Sequence, residues 1–151
     1  MKHLSRRIIV FIFGGIAYIL LEILHHGKSH WSMFLCGGTC IMLGDLVNEK
    51  KPKMSILKQS CLITAIILLA EYVTGLIVNV WLKLKVWDYS QFKFHLNGQI
   101  CLNYATLWFL LSPLLIWSGD TIRWLLFNEA KPLSLLNTYK GLVSTKKTCK
   151  I

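Results

Sequence analysis

The chain has 151 residues, of which 54% are apolar and only 16% charged, and its mean hydropathy is +0.52. An ordinary soluble domain carries about 25% charged residues, so this composition excludes a disordered chain. The net charge of +10 does not call for nucleic acid, because the charges sit in short islands between long uncharged runs, the pattern of a polytopic membrane protein.

A bilayer core about 30 Å thick needs roughly 17 to 25 mostly apolar helical residues, and four stretches supply them. Residues 8–24 form the first, with Glu22 near its end. Lys2, Arg6 and Arg7 before it resemble the basic region of a secretory signal. The apolar run is too long, however, and Ile-Leu-Leu-Glu stands where a small-residue cleavage site belongs, so a retained helix is expected. Residues 31–47 follow, with Asp45 at the far end. The third stretch, 57–82, is the longest and carries Glu71 at its middle. The fourth, 100–117, contains Pro113 and continues as an amphipathic segment to 127 with Asp120 and Arg123. These runs are continuous rather than alternating and exceed strand length. The expected fold class is therefore all-α: a four-transmembrane-helix bundle forming one domain over residues 1–130, then a basic cytoplasmic tail, 131–151.

Orientation follows from the basic residues. With the N-terminus inside, Lys2, Arg6, Arg7, Lys50, Lys51, Lys53, Lys58, Arg123, Lys131, Lys140, Lys146, Lys147 and Lys150 fall on the inner face, against Lys28, Lys83, Lys85 and Lys93 outside, or 13 to 4. Both termini are expected in the cytoplasm. Trp31, Trp81 and Trp87 mark the outer boundary, and Trp117 and Trp124 the inner one.

Five cysteines, an odd number with four in or beside the spans, argue against a disulfide framework. Cys36, Cys40 and Gly44 instead share a ridge at i, i+4, i+8, a spacing at which small residues let membrane helices approach. Glu71 is the sharpest polar feature, since a carboxylate at that depth costs about 2.5 to 3.5 kcal/mol on insertion scales. Gly75 and Asn79 lie on its face. A neutral acid acting as interhelical glue and a proton or cation relay are both open readings. Glu22, His25, His26 and His30 cluster at an outer helix end and could surround a metal, but no CxxC or HExxH accompanies them, and a solvated helix end is the simpler expectation. The outer loop 83–98 is dense in aromatics around Trp87, Asp88, Tyr89, His95 and Asn97. It reads as an aromatic belt or as a cap over the outer mouth.

Gly-Gly-Ile-Ala-Tyr-Ile-Leu-Leu-Glu at 14–22, Ser-His-Trp-Ser-Met at 29–33, Glu-Tyr-Val-Thr-Gly at 71–75, Val-Trp-Asp-Tyr-Ser at 86–90 and Asn-Gly-Gln-Ile-Cys-Leu at 97–102 together carry a resemblance. The chain resembles the bacterial CmpB-like family of ABC-transporter type IV membrane proteins, in order, from about residue 12 to 132. The family's motifs would map onto Glu22, His30, Trp31, Glu71, Gly75, Asn79, Trp87, Asp88, Tyr89, Asn97 and Gly98. The sequence departs from the family where an Arg-Gly-Arg-like segment is expected before the His-Trp pair and His25, His26, Gly27 and Lys28 stand instead.

The resemblance implies a bacterial plasma-membrane component of small-molecule transport. Four helices are few for alternating access, so a second copy or a transporter partner subunit is expected besides membrane lipid. No phosphate-binding loop is present, so ATP coupling would come from another chain, and no cofactor is expected. Two rival classes remain. One is a lipid-binding protein or enzyme at the outer leaflet, with Glu22, Glu71 and Asp88 as acid–base groups. The other is a structural or regulatory membrane protein in which none of these acids titrates.

Overall fold

The computed structural model describes residues 2–50 and 54–143. It is mostly helical, and three of its helices are long and apolar enough to cross a membrane: Leu4–Leu24, Ile56–Trp81 and Leu102–Phe127. In chain order the elements are α1 (Lys2–His26), α2 (Trp31–Lys50), α3 (Ile56–Gly75) continued as a π-helical turn (Leu76–Trp81), β1 (His95–Leu96), β2 (Ile100–Cys101), α4 (Leu102–Phe127) and α5 (Leu135–Lys140). The four expected spans thus each correspond to a helix.

The second of those helices, α2, is not among the three apolar ones, and its environment explains why. It packs against α1, α3 and α4, and half of its 20 residues are buried, including Ser32, Asp45 and Asn48. A helix enclosed by protein has no need of a lipid-compatible surface on every side. At 1.5 Å per residue it is about 30 Å long, the thickness of a bilayer core.

Glycines set the closest approach, between α1 and α2. A Cβ at Gly14 would stand 2.7 Å from Ile41 Cβ, one at Gly15 2.6 Å from the Phe34 ring, and one at Gly38 2.7 Å from the Phe11 carbonyl oxygen. Gly37 faces Tyr18 more tightly still. Cys36, Cys40 and Gly44 are buried as well, but their ridge faces elsewhere: Cys36 and Cys40 join Ile56, Ile63, Ile67, Trp108 and Ile116 in the core. A Cβ at Gly44 would meet Ile63 at an ordinary 3.5 Å. The backbone approach therefore lies one position to the side of the cysteine ridge.

Two features depart from a purely helical reading. Asn97 and Gly98, with φ of 50° and 68°, lead the three-residue loop 97–99 of a hairpin that pairs His95 with Cys101 and Leu96 with Ile100. An Asn-Gly pair tolerates positive φ at both positions, which few other dipeptides do. Further on, residues 131–143 return along α4 instead of extending away from it. Ser134 caps α5, Thr138 is buried, and the Tyr139 hydroxyl donates to the Leu110 carbonyl at 3.0 Å, one turn before Pro113. Residues 144–151 lie outside the described residues, as do Lys51 and Lys53, so Lys51, Lys53, Lys146, Lys147 and Lys150 of the charge count have no described position.

Candidate functional site

Glu71 is 2% exposed and faces α1 and α4. The Tyr18 hydroxyl and the Trp108 indole N–H both donate to its Oε1, at 2.7 and 2.9 Å, while Oε2 has no hydrogen-bond partner among the described residues. The Tyr18 and Trp108 rings stack at 5.4 Å. Helical spacing places all three groups at one level, and two donors offset much of the cost of burying the acid. Below them Thr64, Ser112 and the Trp108 carbonyl continue a polar seam between α3 and α4, with Thr64 and Ser112 hydroxyls 3.2 Å apart.

The outer sides of Tyr18 and Trp108 form the floor of a slot of about 270 Å³ between α1 and α4. Its remaining walls are Leu21, Glu22, Leu24, Tyr89, Tyr104, Leu107 and Leu111. A larger vestibule of about 570 Å³ adjoins it, lined by Lys28, His30, Lys85, Trp87, Asp88 and Gln91 among others. Glu22, Tyr89 and Tyr104 line both cavities and so stand at the boundary between them. Tyr89 and Tyr104 stack at 4.5 Å with Phe92 edge-on to both, and the Ser29 hydroxyl donates to Glu22 Oε2. Burial pushes the Tyr89 phenol well above its ordinary range, with the Glu71 charge adding to the shift.

The loop above the slot is built around a residue to which the sequence reading gave no role, Gln99. Its side chain fills the space that a Cβ at Gly75 would need. Gln99 Oε1 accepts from Asn79 Nδ2 at 2.8 Å, its Nε2 donates to the Asn97 carbonyl at 2.9 Å, and its own carbonyl accepts from Trp87 Nε1 at 3.0 Å. Asn79, in the π-helical turn, also takes the Val86 backbone N–H on Oδ1, and Asn97 donates to the Tyr72 hydroxyl at 2.9 Å. These bonds hold the strand-free run 82–94, in which Lys83, Lys85 and Phe94 adopt positive φ. Asp88 accepts from the hydroxyl and backbone N–H of Ser90, which holds its carboxyl below the ordinary carboxylate range.

Of the residues singled out by sequence, Glu22, His30, Trp87, Asp88 and Tyr89 line the two cavities. Glu71 stands behind the slot floor, and Asn79, Asn97 and Gly75 belong to the loop scaffold. His30 serves the start of α2: its Nδ1 lies 2.8 Å from the Ser32 hydroxyl and accepts the Ser32 backbone N–H at 3.3 Å. The side chains of His25 and His26 lie outside the described set, and among the described residues no group of three or more His, Cys, Asp or Glu could hold a metal.

The opposite end of the helices carries a second polar constellation. Arg123 NH1 donates to Asp45 Oδ1 at 2.7 Å, its NH2 pairs with Asp120, and its Nε lies 3.4 Å from Glu129. Arg6 pairs with Glu49 and, at 2.8 Å, with Glu129, while Asn48 donates to Asp120 at 2.8 Å. Gly119 leaves the room that Asp45 occupies. The sequence signal was present only as isolated charges at span ends, because Asp45 and Arg123 are 78 residues apart.

One family model, described as "Putative ABC-transporter type IV", matches residues 8–131. No solved structure matches the chain.

Proposed function

The chain belongs to the ABC-transporter type IV family, and from that premise we propose that it is a small-molecule transport or transport-accessory component whose substrate site is the slot and vestibule over Glu71. It crosses the bacterial plasma membrane four times, with α2 as the enclosed crossing, both termini in the cytoplasm and the vestibule outside. The distribution of basic residues supports that orientation. So does the meeting of Arg6, Glu49, Arg123 and Glu129, which gathers the start of α1 and the ends of α2 and α4 at one end. ATP coupling comes from a partner subunit, because this chain has no phosphate-binding loop.

The observation that carries the reading is the pair of adjacent cavities that share Glu22, Tyr89 and Tyr104, one of them lined by side chains that a buried carboxylate fixes in place. Concave, largely apolar sites with a few convergent polar groups are where small molecules bind. Glu71 acts as a positioning residue, holding Tyr18 and Trp108 at the slot floor, and Glu22 presents a polar group to both cavities.

The test uses intact cells and native membranes. With the five native cysteines replaced, an impermeant maleimide should label Ser90→Cys in intact cells and Lys50→Cys only in opened ones. Protein solubilised mildly from native membranes should carry an ATP-hydrolysing subunit or a second copy. Labelling of Ser90→Cys only in opened cells would overturn the orientation, and a lone chain with neither companion would overturn the transport role.

A further inference from the structure

We propose that the substrate is a single-chain amphiphile with a zwitterionic, phosphate-bearing head, entering sideways from the outer leaflet. The inference rests on reading the slot and vestibule as the substrate site and adds the class of molecule that fits it.

The slot decides first. Leu21, Leu24, Leu107 and Leu111 with the Tyr18 and Trp108 rings leave it almost wholly apolar. A water-soluble solute placed there would lose hydration without gaining hydrogen bonds, at roughly 1 to 3 kcal/mol per polar group left unpaired. An alkyl chain loses nothing by the same transfer. A slot of about 270 Å³ held between two helices suits one alkyl chain.

The route decides next. Leu21, Leu24 and Leu107 are 48%, 84% and 41% exposed, so the slot's rim is continuous with the apolar outer surfaces of α1 and α4. On helices that cross a membrane such surfaces meet lipid. A molecule already dissolved in the bilayer reaches the slot without crossing water.

The head is read from the vestibule. Lys28 and Lys85 supply cations, Glu22 and Asp88 supply anions, and all four line one cavity, which shares Glu22 with the slot. A phosphate facing the lysines and an ammonium facing the carboxylates match that mixed lining. A purely anionic head would leave both carboxylates opposed to it, and a purely cationic one both lysines.

The probe is palmitoyl lysophosphatidylethanolamine, offered to the full chain in detergent and read by native mass spectrometry. Wild-type protein should retain one molecule per chain. Leu107→Trp, which fills the slot, should weaken retention at least tenfold, whereas Leu110→Trp, on the same helix but outside the slot, should not change it. Lys85→Glu should weaken it several-fold, and palmitoyl lysophosphatidylglycerol should bind less well than the zwitterionic probe. Equal retention by Leu107→Trp and wild type would overturn the proposal, and tighter binding of the phosphatidylglycerol form would overturn its zwitterionic head. Glycerophosphoethanolamine, the head without the chain, separates the two levels of the argument. If it binds as tightly as the lysolipid and Leu107→Trp abolishes binding, the site stands and the amphiphile falls. If no probe binds at all, both fall.

Discussion

The two ends of the molecule solve the problem of polar groups near a membrane in opposite ways. At one end Arg6 and Arg123, both buried, are gathered with Asp45, Asn48, Asp120 and the more exposed Glu49 and Glu129 into an ionic network. At the other end, cavities remain open between α1, α4 and the loop; the loop is held by neutral amides and an indole N–H, and the charged Glu22, Lys28, Lys85 and Asp88 line the vestibule. At the first end each cation is shared by carboxylates from different segments of the chain. Neutral donors hold the loop at the second, where the proposed site lies. Paired buried charges fix one arrangement, and removing one partner leaves the other charge stranded. The difference assigns rigidity to the charged end and exchange to the aromatic end.

The largest effect should follow from breaking the charged end. Arg123 is 3% exposed and pairs with two buried carboxylates. Arg123→Met should cost about 3 to 5 kcal/mol, the range for removing one member of a buried ion pair. Thermal unfolding of the purified protein in detergent would show it as a large fall in Tm. By contrast Lys85→Ala, an exposed charge at the open end, should stay within about 0.5 kcal/mol. Equal Tm values for the two variants would erase the distinction between the ends.

Next in size is the seam that joins them. Gly38→Leu puts a side chain where the Phe11 backbone and ring already stand. It should destabilise by about 1 to 3 kcal/mol or more, the range for overpacking. Gly44→Ala adds a methyl group at an ordinary contact distance from Ile63 and should be mild. Comparing the two in one unfolding series tests whether α1 and α2 move as a unit. If Gly38→Leu were harmless, the charged end would not be mechanically tied to the slot.

A smaller effect, confined to the open end, is expected for Gln99→Ala. It removes the side-chain bonds to Asn79 and to the Asn97 carbonyl. At roughly 1 kcal/mol net per hydrogen bond the loop should loosen without unfolding the helices. Hydrogen exchange should quicken across residues 82–101 while α2 stays protected. Uniform acceleration would mean that the loop scaffold and the helices are a single cooperative unit.

How much of this was legible beforehand differed between the ends for physical reasons. The burial of Glu71 could be read from its place midway along an apolar run, since a side chain about a dozen residues from either end cannot reach water. The face shared with Gly75 and Asn79 followed from helical spacing, but its purpose did not. Gly75 makes room for Gln99, which follows an Asn-Gly pair and looked like the entry to a span. The ionic network was less legible still. Asp45, Asp120 and Arg123 are ordinary span-end charges one at a time, and only the packing of α2 against α4 brings Asp45 to Arg123 and Asn48 to Asp120. For α2 itself, apolarity read along the chain understates a helix that protein surrounds.

The smallest expected effect concerns Asp88, and it sharpens the comparison because it is an exposed charge at the open end. Asp88 is fully exposed, and its carboxylate accepts two hydrogen bonds from Ser90, which lower its pKa in the folded chain. A group with a depressed folded value contributes order above its unfolded value and loses that contribution as pH falls through the folded one. The turn 88–90 should therefore be fully ordered at neutral pH and begin to loosen only below the ordinary carboxylate range. Exchange of the Ser90 amide against pH would show this as an acid-side rise in rate. Asp88→Asn should flatten that profile, because the amide oxygen still accepts but does not titrate.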